Sequence, residues 1–147
     1  MTAFRKLVLK DMPAAAAVHR ASYDRALPWL AGRYTPDQDS AFYRIQMFPA
    51  CQIWGAEKQS KLVGIIAFRQ GWIDQLYILP DAQGKGLGSD LLEIAQDAFP
   101  VLNLWTFQRN EKARRFYEFH DFRKVKETKG TRNEEKEPDV LYRWERG

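Results

Sequence analysis

A single cysteine, Cys51, stands among 147 residues, so no internal disulfide can form. The two histidines, His19 and His120, do not fall at zinc-site spacing from it, and no metal is expected. No stretch approaches the roughly 18 apolar residues of a membrane span. The first residues, Met1 to Lys6, carry no apolar core and no small-residue cleavage site behind it, so no signal peptide is expected. These absences fit a cytoplasmic chain with no membrane partner. Repeats, low-complexity runs and Pro/Gly/Ser linkers are missing too, so residues 1–147 read as one domain.

Apolar material is ample: 45% of residues are hydrophobic, with 5 Trp, 6 Tyr and 9 Phe. That suffices for a real core at this length. The net charge of +4 suits an acidic partner, a nucleic acid or a nucleotide-like cofactor. The basic density from Lys112 to Lys126 also has a plainer reading, a solvated surface.

Patterning gives the elements. Phe4 to Lys10 reads as a strand, and Asp11 can cap a helix from Met12 to Leu27 that ends at Pro28. Thr35-Pro36-Asp37-Gln38 is a capping box, opening a helix that runs towards Phe48 and stops at Pro49. Strands follow over Cys51–Ala56, Leu62–Arg69 and Trp72–Leu79. A helix from Gly86 to Ala98 carries the stripe Leu87, Leu91, Ile94, Ala95 and Ala98. Val101–Phe107 is a strand, Asn110 caps a helix to Glu118, and Phe122–Glu127 and Val140–Glu145 close the chain as strands. The order β-α-α-β-β-β-α-β-α-β-β predicts an α+β (mixed α/β) domain around one sheet.

The most informative segment is Leu76-Tyr77-Ile78, then Gln83-Gly84-Lys85-Gly86-Leu87-Gly88-Ser89. Three glycines alternate where a strand gives way to a helix. Glycine permits a sharp turn and a close ligand, and the helix start offers free N–H groups and a positive dipole end. Together they seat a phosphate, and Lys85 adds a positive charge. The spacing excludes other phosphate loops. Lys85 sits between glycines, so no P-loop run exists, and the pattern is G-x-G-x-G where a dinucleotide fold needs G-x-G-x-x-G. A tight turn without a ligand is the alternative reading of these glycines.

Gln83-x-x-Gly86-x-Gly88 after a strand resembles the pyrophosphate-binding signature of the GNAT superfamily of N-acetyltransferases. Asn110-x-x-Ala113-x-x-Phe116-Tyr117-Glu118-x-x-x-Phe122 resembles that family's second block. The resemblance implies a GNAT-like central mixed sheet and acetyl-CoA as co-substrate. Leu76, Tyr77 and Ile78, the loop Gln83 to Ser89, and Asn110 would bind it. It also implies Tyr117 as general acid to the CoA thiolate and a backbone N–H near Ile78 for the oxyanion. Asn110 and Tyr117 are seven apart and share a helix face; a plain N-cap and a core aromatic are their other readings. The family's glycine before the last Phe is Asp121 here, a residue that tolerates left-handed backbone. The glutamate some members use as base aligns with Trp72. Asp74, on the same face by strand alternation, is the candidate base or holder of the relaying water, and an ordinary salt bridge is its alternative.

The reaction implied is direct attack by a neutral primary amine on the thioester. Cys51 as an acyl carrier would want a histidine and an orienting carboxylate; a buried, inert thiol is the simpler expectation. The acceptor is a small-molecule or peptide amine. Glu134, Glu135, Glu137 and Asp139 in the loop Thr128 to Asp139 are expected to dock a remote ammonium. A non-catalytic acyl-CoA sensor on the same fold and a basic nucleic-acid-binding module are the competing readings. Tyr117 argues against the first, and the core-like placement of Phe116, Phe119 and Phe122 against the second, so no nucleic acid is expected. Oligomeric state stays open, a homodimer included.

Overall fold

The computed structural model describes all 147 residues. Its strands are β1 (Thr2–Lys6), β2 (Gln52–Lys58), β3 (Lys61–Arg69), β4 (Gly71–Ile78), β5 (Val101–Phe107), β6 (Arg123–Thr128) and β7 (Asp139–Glu145). They form one mixed sheet in the order β1-β2-β3-β4-β5-β7-β6. The helices are α1 (Met12–Ala26), α2 (Pro36–Phe42), the single turn α3 (Phe48–Ala50), α4 (Leu87–Ala98) and α5 (Glu111–Phe119). The expected α+β class and element order are therefore found. No helix is long and apolar enough to cross a membrane.

Two clusters of buried side chains lie on the two faces of the sheet. The stripe Leu87, Leu91 and Ala95 of α4 packs with Tyr117 of α5 against Ile66 and Phe68. Met12, Ala15, Ala16 and Val18 of α1 pack with Tyr43 against Ile65 and Ala67. Strand β3 is thus covered on both sides, and Leu62 to Phe68 are all buried. Each large aliphatic so buried contributes about 1.5–3 kcal/mol.

Local chemistry explains the departures from the expected boundaries. The Asp11 carboxylate does not cap α1. It accepts from the Val8 N–H (2.8 Å) and pairs with the Arg5 guanidinium (2.8 and 2.9 Å), so the chain turns after Lys6 into a short 3-10 segment, Leu9–Asp11. The predicted strand to Lys10 is therefore too long. The Thr35–Gln38 capping box forms as expected. Its helix passes through a π-turn at Tyr43–Met47 and ends after Ala50; Pro49 is tolerated in the first turn of α3. Asp121 adopts φ 68°, the left-handed conformation expected of it.

One feature of the sheet positions the site. Strands β4 and β5 are the parallel pair, and they bond only at Gly71–Leu102 and Trp72–Asn103 before parting. The Asn103 side chain donates to the Gly71 carbonyl (3.0 Å) at the root of the wedge. On its other edge β4 carries a bulge: Ala67 faces Gln75 and Phe68 faces Ile73, leaving Asp74 over. A bulge bends and twists its strand, here away from β5.

Candidate active site

Beyond Trp72 the edge of β4 that faces β5 has no ladder partner. Backbone N–H and C=O groups there are free to meet a ligand. Cavities open on both sides of the wedge. One, of about 1040 Å³, is lined by Leu76, Ile78, Gly84, Gly86, Asn110 and Tyr117 among others. The other, of about 620 Å³, is lined by His19, Tyr43, Glu134 and Glu135. Tyr23, Gln75, Tyr77, Trp105 and Phe107 border both, so the two cavities meet through the wedge.

The turn before α4 is built as its glycines require. Gly84 and Gly86 have φ 79° and 82°, and Gly86 is the N-cap of α4. A Cβ at either would meet nothing within 4 Å, so the turn presents its backbone to open space. At Gly88 the reason is packing: a Cβ would sit 3.3 Å from the Phe116 ring. The N–H groups of Leu87, Gly88 and Ser89 lie in the first turn and have no helical acceptor. The side chains of the loop are busy elsewhere. Leu87 is buried in the core. Ser89 Oγ bonds His120 Nε2 (2.9 Å). Gln83 donates to the Ile78 carbonyl (3.0 Å) and accepts from Lys112. Lys85 is exposed and does not line the cavity. Arg25, Arg109, Lys112 and Arg115 supply its positive charge; of these the sequence marks only Lys112 and Arg115, within the basic stretch Lys112 to Lys126.

At the end of β4 the Ile78 carbonyl also accepts from Ser22 Oγ of α1 (2.7 Å), which fixes the strand end between helix and turn. Leu76 and Ile78 pack towards α4, whereas Tyr77 packs towards α1 with its ring 4.3 Å from that of His19. Asn110 Oδ1 caps α5 at the Ala113 N–H (3.3 Å), and the residue lines the larger cavity. Tyr117 lies two helical turns on. Its ring is walled by Phe116, Phe122 and Tyr142. Burial alone pushes its phenol well above the ordinary tyrosine range, so it keeps its proton.

Alternation predicts Trp72, Asp74 and Leu76 on one face, and the bulge breaks that parity. The Asp74 carboxylate is gripped by Arg69 Nε (2.7 Å) and accepts from Cys51 Sγ (3.2 Å). The Cys51 thiol is pushed up to about 12 by burial and by this carboxylate, so it stays protonated and inert.

The smaller cavity is floored by groups the sequence did not flag. Tyr43 is fully buried, and the one partner of its hydroxyl is His19 Nδ1 (2.6 Å). A buried O–H must donate, so Tyr43 donates to Nδ1 and His19 carries its hydrogen on Nε2. Burial first, then the Arg20 charge, lowers the His19 pKa to about 4. Stability should follow. Between pH 6.5 and 4 the unfolded chain binds a proton that the folded one refuses. The stability present above pH 6.5 is therefore lost progressively as pH falls towards 4. At pH 5 the loss is roughly 2 kcal/mol, or roughly 4–8 °C in melting temperature. Melting curves at pH 7.5 and 5 should differ by this amount, and by clearly less in His19→Gln.

The loop between β6 and β7 closes the cavity's rim. Asn133 bonds both the carbonyl (2.7 Å) and the N–H (3.1 Å) of Glu137, bracketing the three-residue tip Glu134-Glu135-Lys136. Glu137 is buried, pairs with Arg109 (2.8 Å) and accepts from Trp29 Nε1 (3.1 Å). Asp139 is held by Thr128 and Asn133. Of the four loop carboxylates, then, Glu137 and Asp139 are structural, and Glu134 and Glu135 face the cavity.

Residues 49–124 match the family model of the acetyltransferase (GNAT) domain. Among curated proteins, the peptidyl-lysine N-acetyltransferase YiaC of Escherichia coli is 31% identical over 72 residues, 48% of this chain and 49% of that one. The chain spans about half the length of the curated relatives it matches. Among solved structures, apo YjaB of Escherichia coli superposes with a TM-score of 0.81 at 22% identity, covering 100% of this chain and 99% of that one. The PaiA N-acetyltransferase of Thermoplasma acidophilum, in complex with coenzyme A, superposes with 0.73 at 18% identity, covering 99% of both. With more than half its length inside the family model, and with a fold that superposes along its whole length on those neighbours, this chain belongs to the GNAT acetyltransferase family.

Proposed function

We propose that the protein is an acetyl-CoA-dependent N-acetyltransferase that acts on a cationic primary amine by direct attack. The observation that carries this is the wedge between β4 and β5, with free helix N–H groups on one side and a carboxylate-rimmed aromatic cavity on the other. The residues fit an acyl-CoA. The first-turn amides of α4, with Arg25 and Arg115, receive the pyrophosphate. The unpaired edge of β4 and the Asn110 amide hold the extended arm, and a β4 N–H near Ile78 meets the oxyanion. The CoA complex of the PaiA neighbour supports this reading.

The chemistry assigned to this chain's own residues is limited. The amine nitrogen forms a bond to the acyl carbon as the carbon–sulfur bond breaks. Tyr117 gives its hydroxyl proton to the departing sulfur. The thiol is the stronger acid of the two, and burial raises the phenol further, so the proton is shared with the sulfur as a hydrogen bond while the thiolate forms. Solvent then restores the proton.

The acceptor reading rests on Glu134 and Glu135 at the cavity rim and on the walls Tyr23, Phe42, Tyr43 and Trp105. Carboxylates concentrate cations, and aromatic faces attract them. The name of the YiaC relative, a peptidyl-lysine acetyltransferase, agrees with a cationic acceptor. A nucleic-acid role is disfavoured because Tyr117 and Phe122 are buried and cannot stack on bases, while Phe119, expected in the core, is instead exposed.

A panel of mono- and dicationic amines supplied with acetyl-CoA should release CoA thiol and yield the N-acetyl product. Release that does not depend on amine would contradict the proposal. With the best dicationic acceptor, Glu134→Gln should raise KM about three- to fivefold at low salt, as expected of one exposed charge pair. KM for acetyl-CoA should not move, and the effect should fade with added salt. Unchanged KM at low ionic strength would remove Glu134 from acceptor recognition.

A further inference from the structure

We infer that His19 recognises the acceptor: its Nε2–H donates a hydrogen bond to an uncharged carbonyl oxygen carried on the amine. The inference rests on the proposed acetyl transfer and narrows its acceptor to amines that bear an amide, as amino-acid amides and peptides do.

The imidazole of His19 is held by its neighbours. Tyr43, fully buried, donates its hydroxyl proton to Nδ1 at 2.6 Å, and its ring meets the imidazole edge-on at 5.5 Å. The rings of Tyr77 and Tyr23 lie 4.3 and 5.7 Å away. One hydrogen bond and three aromatic contacts thus set the direction of the remaining nitrogen. A neutral imidazole has one N–H and one bare nitrogen. Since Nδ1 accepts, the hydrogen is on Nε2.

Nε2 has no partner within the protein. Yet no side-chain nitrogen or oxygen of the protein is both buried and unpartnered. Nε2 is therefore open to a ligand, and the cavity that His19 lines is the smaller one, on the acceptor side. Tyr77 borders both cavities, so the imidazole stands one aromatic ring from the wedge.

The surroundings decide what this N–H binds. Nε2 already carries hydrogen, so it cannot take the amine's proton and can only donate. Burial keeps the ring neutral at physiological pH, so it offers no charge to a carboxylate. Arg20, beside it in the chain, is closed by Asp39 at two oxygens, 2.8 Å each, and by Asp24 at 3.1 Å. Arg33 is exposed at the rim and bonds the Glu134 carbonyl (3.3 Å). Glu134 and Glu135 face the same cavity and repel an anion. A neutral, strongly accepting oxygen fits these conditions, and the amide carbonyl is one. An acceptor without it would leave the N–H unpaired once water is displaced, which is how a polar group in a pocket rejects an analogue.

Three acceptors that differ at one carbon test this. Lysinamide, lysine and cadaverine carry there an amide, a carboxylate and hydrogen. Wild-type kcat/KM should be about two- to tenfold higher for lysinamide than for cadaverine, the worth of one neutral hydrogen bond. Lysine should fall below lysinamide. In His19→Phe, which keeps a ring among the tyrosines, the lysinamide-to-cadaverine ratio should fall to about one. The ratio compares two acceptors on one enzyme, so lost folded protein does not affect it. His19→Gln, whose amide can accept from Tyr43 and still donate into the cavity, should keep more of the preference than His19→Phe. A wild-type ratio of one, or an unchanged ratio in His19→Phe, overturns the inference. Nitrogen-15 spectra of histidine-labelled wild-type protein need no variant, and His19 and His120 are its two histidines. With CoA bound, lysinamide should move the Nε2–H signal of His19 well beyond any shift given by cadaverine. Equal shifts, or a hydrogen found on Nδ1, overturn the inference as well. If the wild-type protein acetylates no amine at all, the proposed acetyl transfer fails; acetylation without the preference sinks only the role of His19.

Discussion

Tyr117→Phe is expected to lower kcat roughly a hundred- to a thousandfold, the range of a lost proton donor in the transition state. The substitution removes one oxygen and little else. Burial is the sole cause of the raised phenol pKa, so no protein group relies on that hydroxyl. The contacts of the ring with Phe116, Phe122 and Tyr142 survive in phenylalanine. Fold and acetyl-CoA affinity should therefore stay near wild type, and the loss should appear in kcat with KM for acetyl-CoA unchanged. A leaving group more acidic than the CoA thiol needs less help. Acetyl transfer from an activated aryl thioester should accordingly suffer less than transfer from acetyl-CoA. Equal loss with both donors, or no loss where chemistry limits the rate, would assign Tyr117 to packing alone.

Gly86→Val should abolish the stabilisation that acetyl-CoA confers. At a hundred times Kd a ligand adds about 2.7 kcal/mol to the native state, or roughly 5–11 °C for a domain of this size. Gly86 sits at φ 82° with open space where a side chain would project. Valine is β-branched and strained there, and its methyl groups would occupy the volume above the first-turn amides. The free variant should melt somewhat lower because of that strain. The diagnostic quantity is the difference with and without acetyl-CoA, which should fall to zero. A variant that gains the wild-type increment would place the pyrophosphate elsewhere.

The parts of the fold legible in the sequence were those set by neighbours along the chain. Thr35 and Gln38 cap each other three residues apart. The Gly84–Gly86 turn is needed because two φ angles near +80° follow within three residues. The parting of β4 from β5 was not legible, since it arises between strands whose facing residues, Trp72 and Asn103, are remote in sequence. Nor was the bulge at Asp74. A single extra residue leaves no trace in the hydropathy pattern, yet it reverses which side chains share a face. The same limit hid the aromatic floor. His19, Tyr43 and Tyr77 come from three elements, and each reads alone as a core position. Lys85 was singled out because it adjoins the glycines. The cavity draws its charge instead from Arg25 at the end of α1 and Arg115 in α5, which only the tertiary fold brings there.

The bracket formed by Asn133 and Glu137 has a meaning for how such a protein can change over generations. The root of the loop is locked by the pair itself, by Arg109 and Trp29, and by Gly130, where any side chain would strike the Glu137 carbonyl. Between those posts stand three residues that form no ion pair: Lys136 reaches back only to the Thr131 carbonyl of the same loop. Substitution of Glu134, Glu135 or Lys136 therefore leaves the sheet, the glycine turn and Tyr117 undisturbed. Inheritance can rewrite the portion that greets the amine while the acyl-donor machinery is passed on intact, and a laboratory can do the same by swapping a tripeptide.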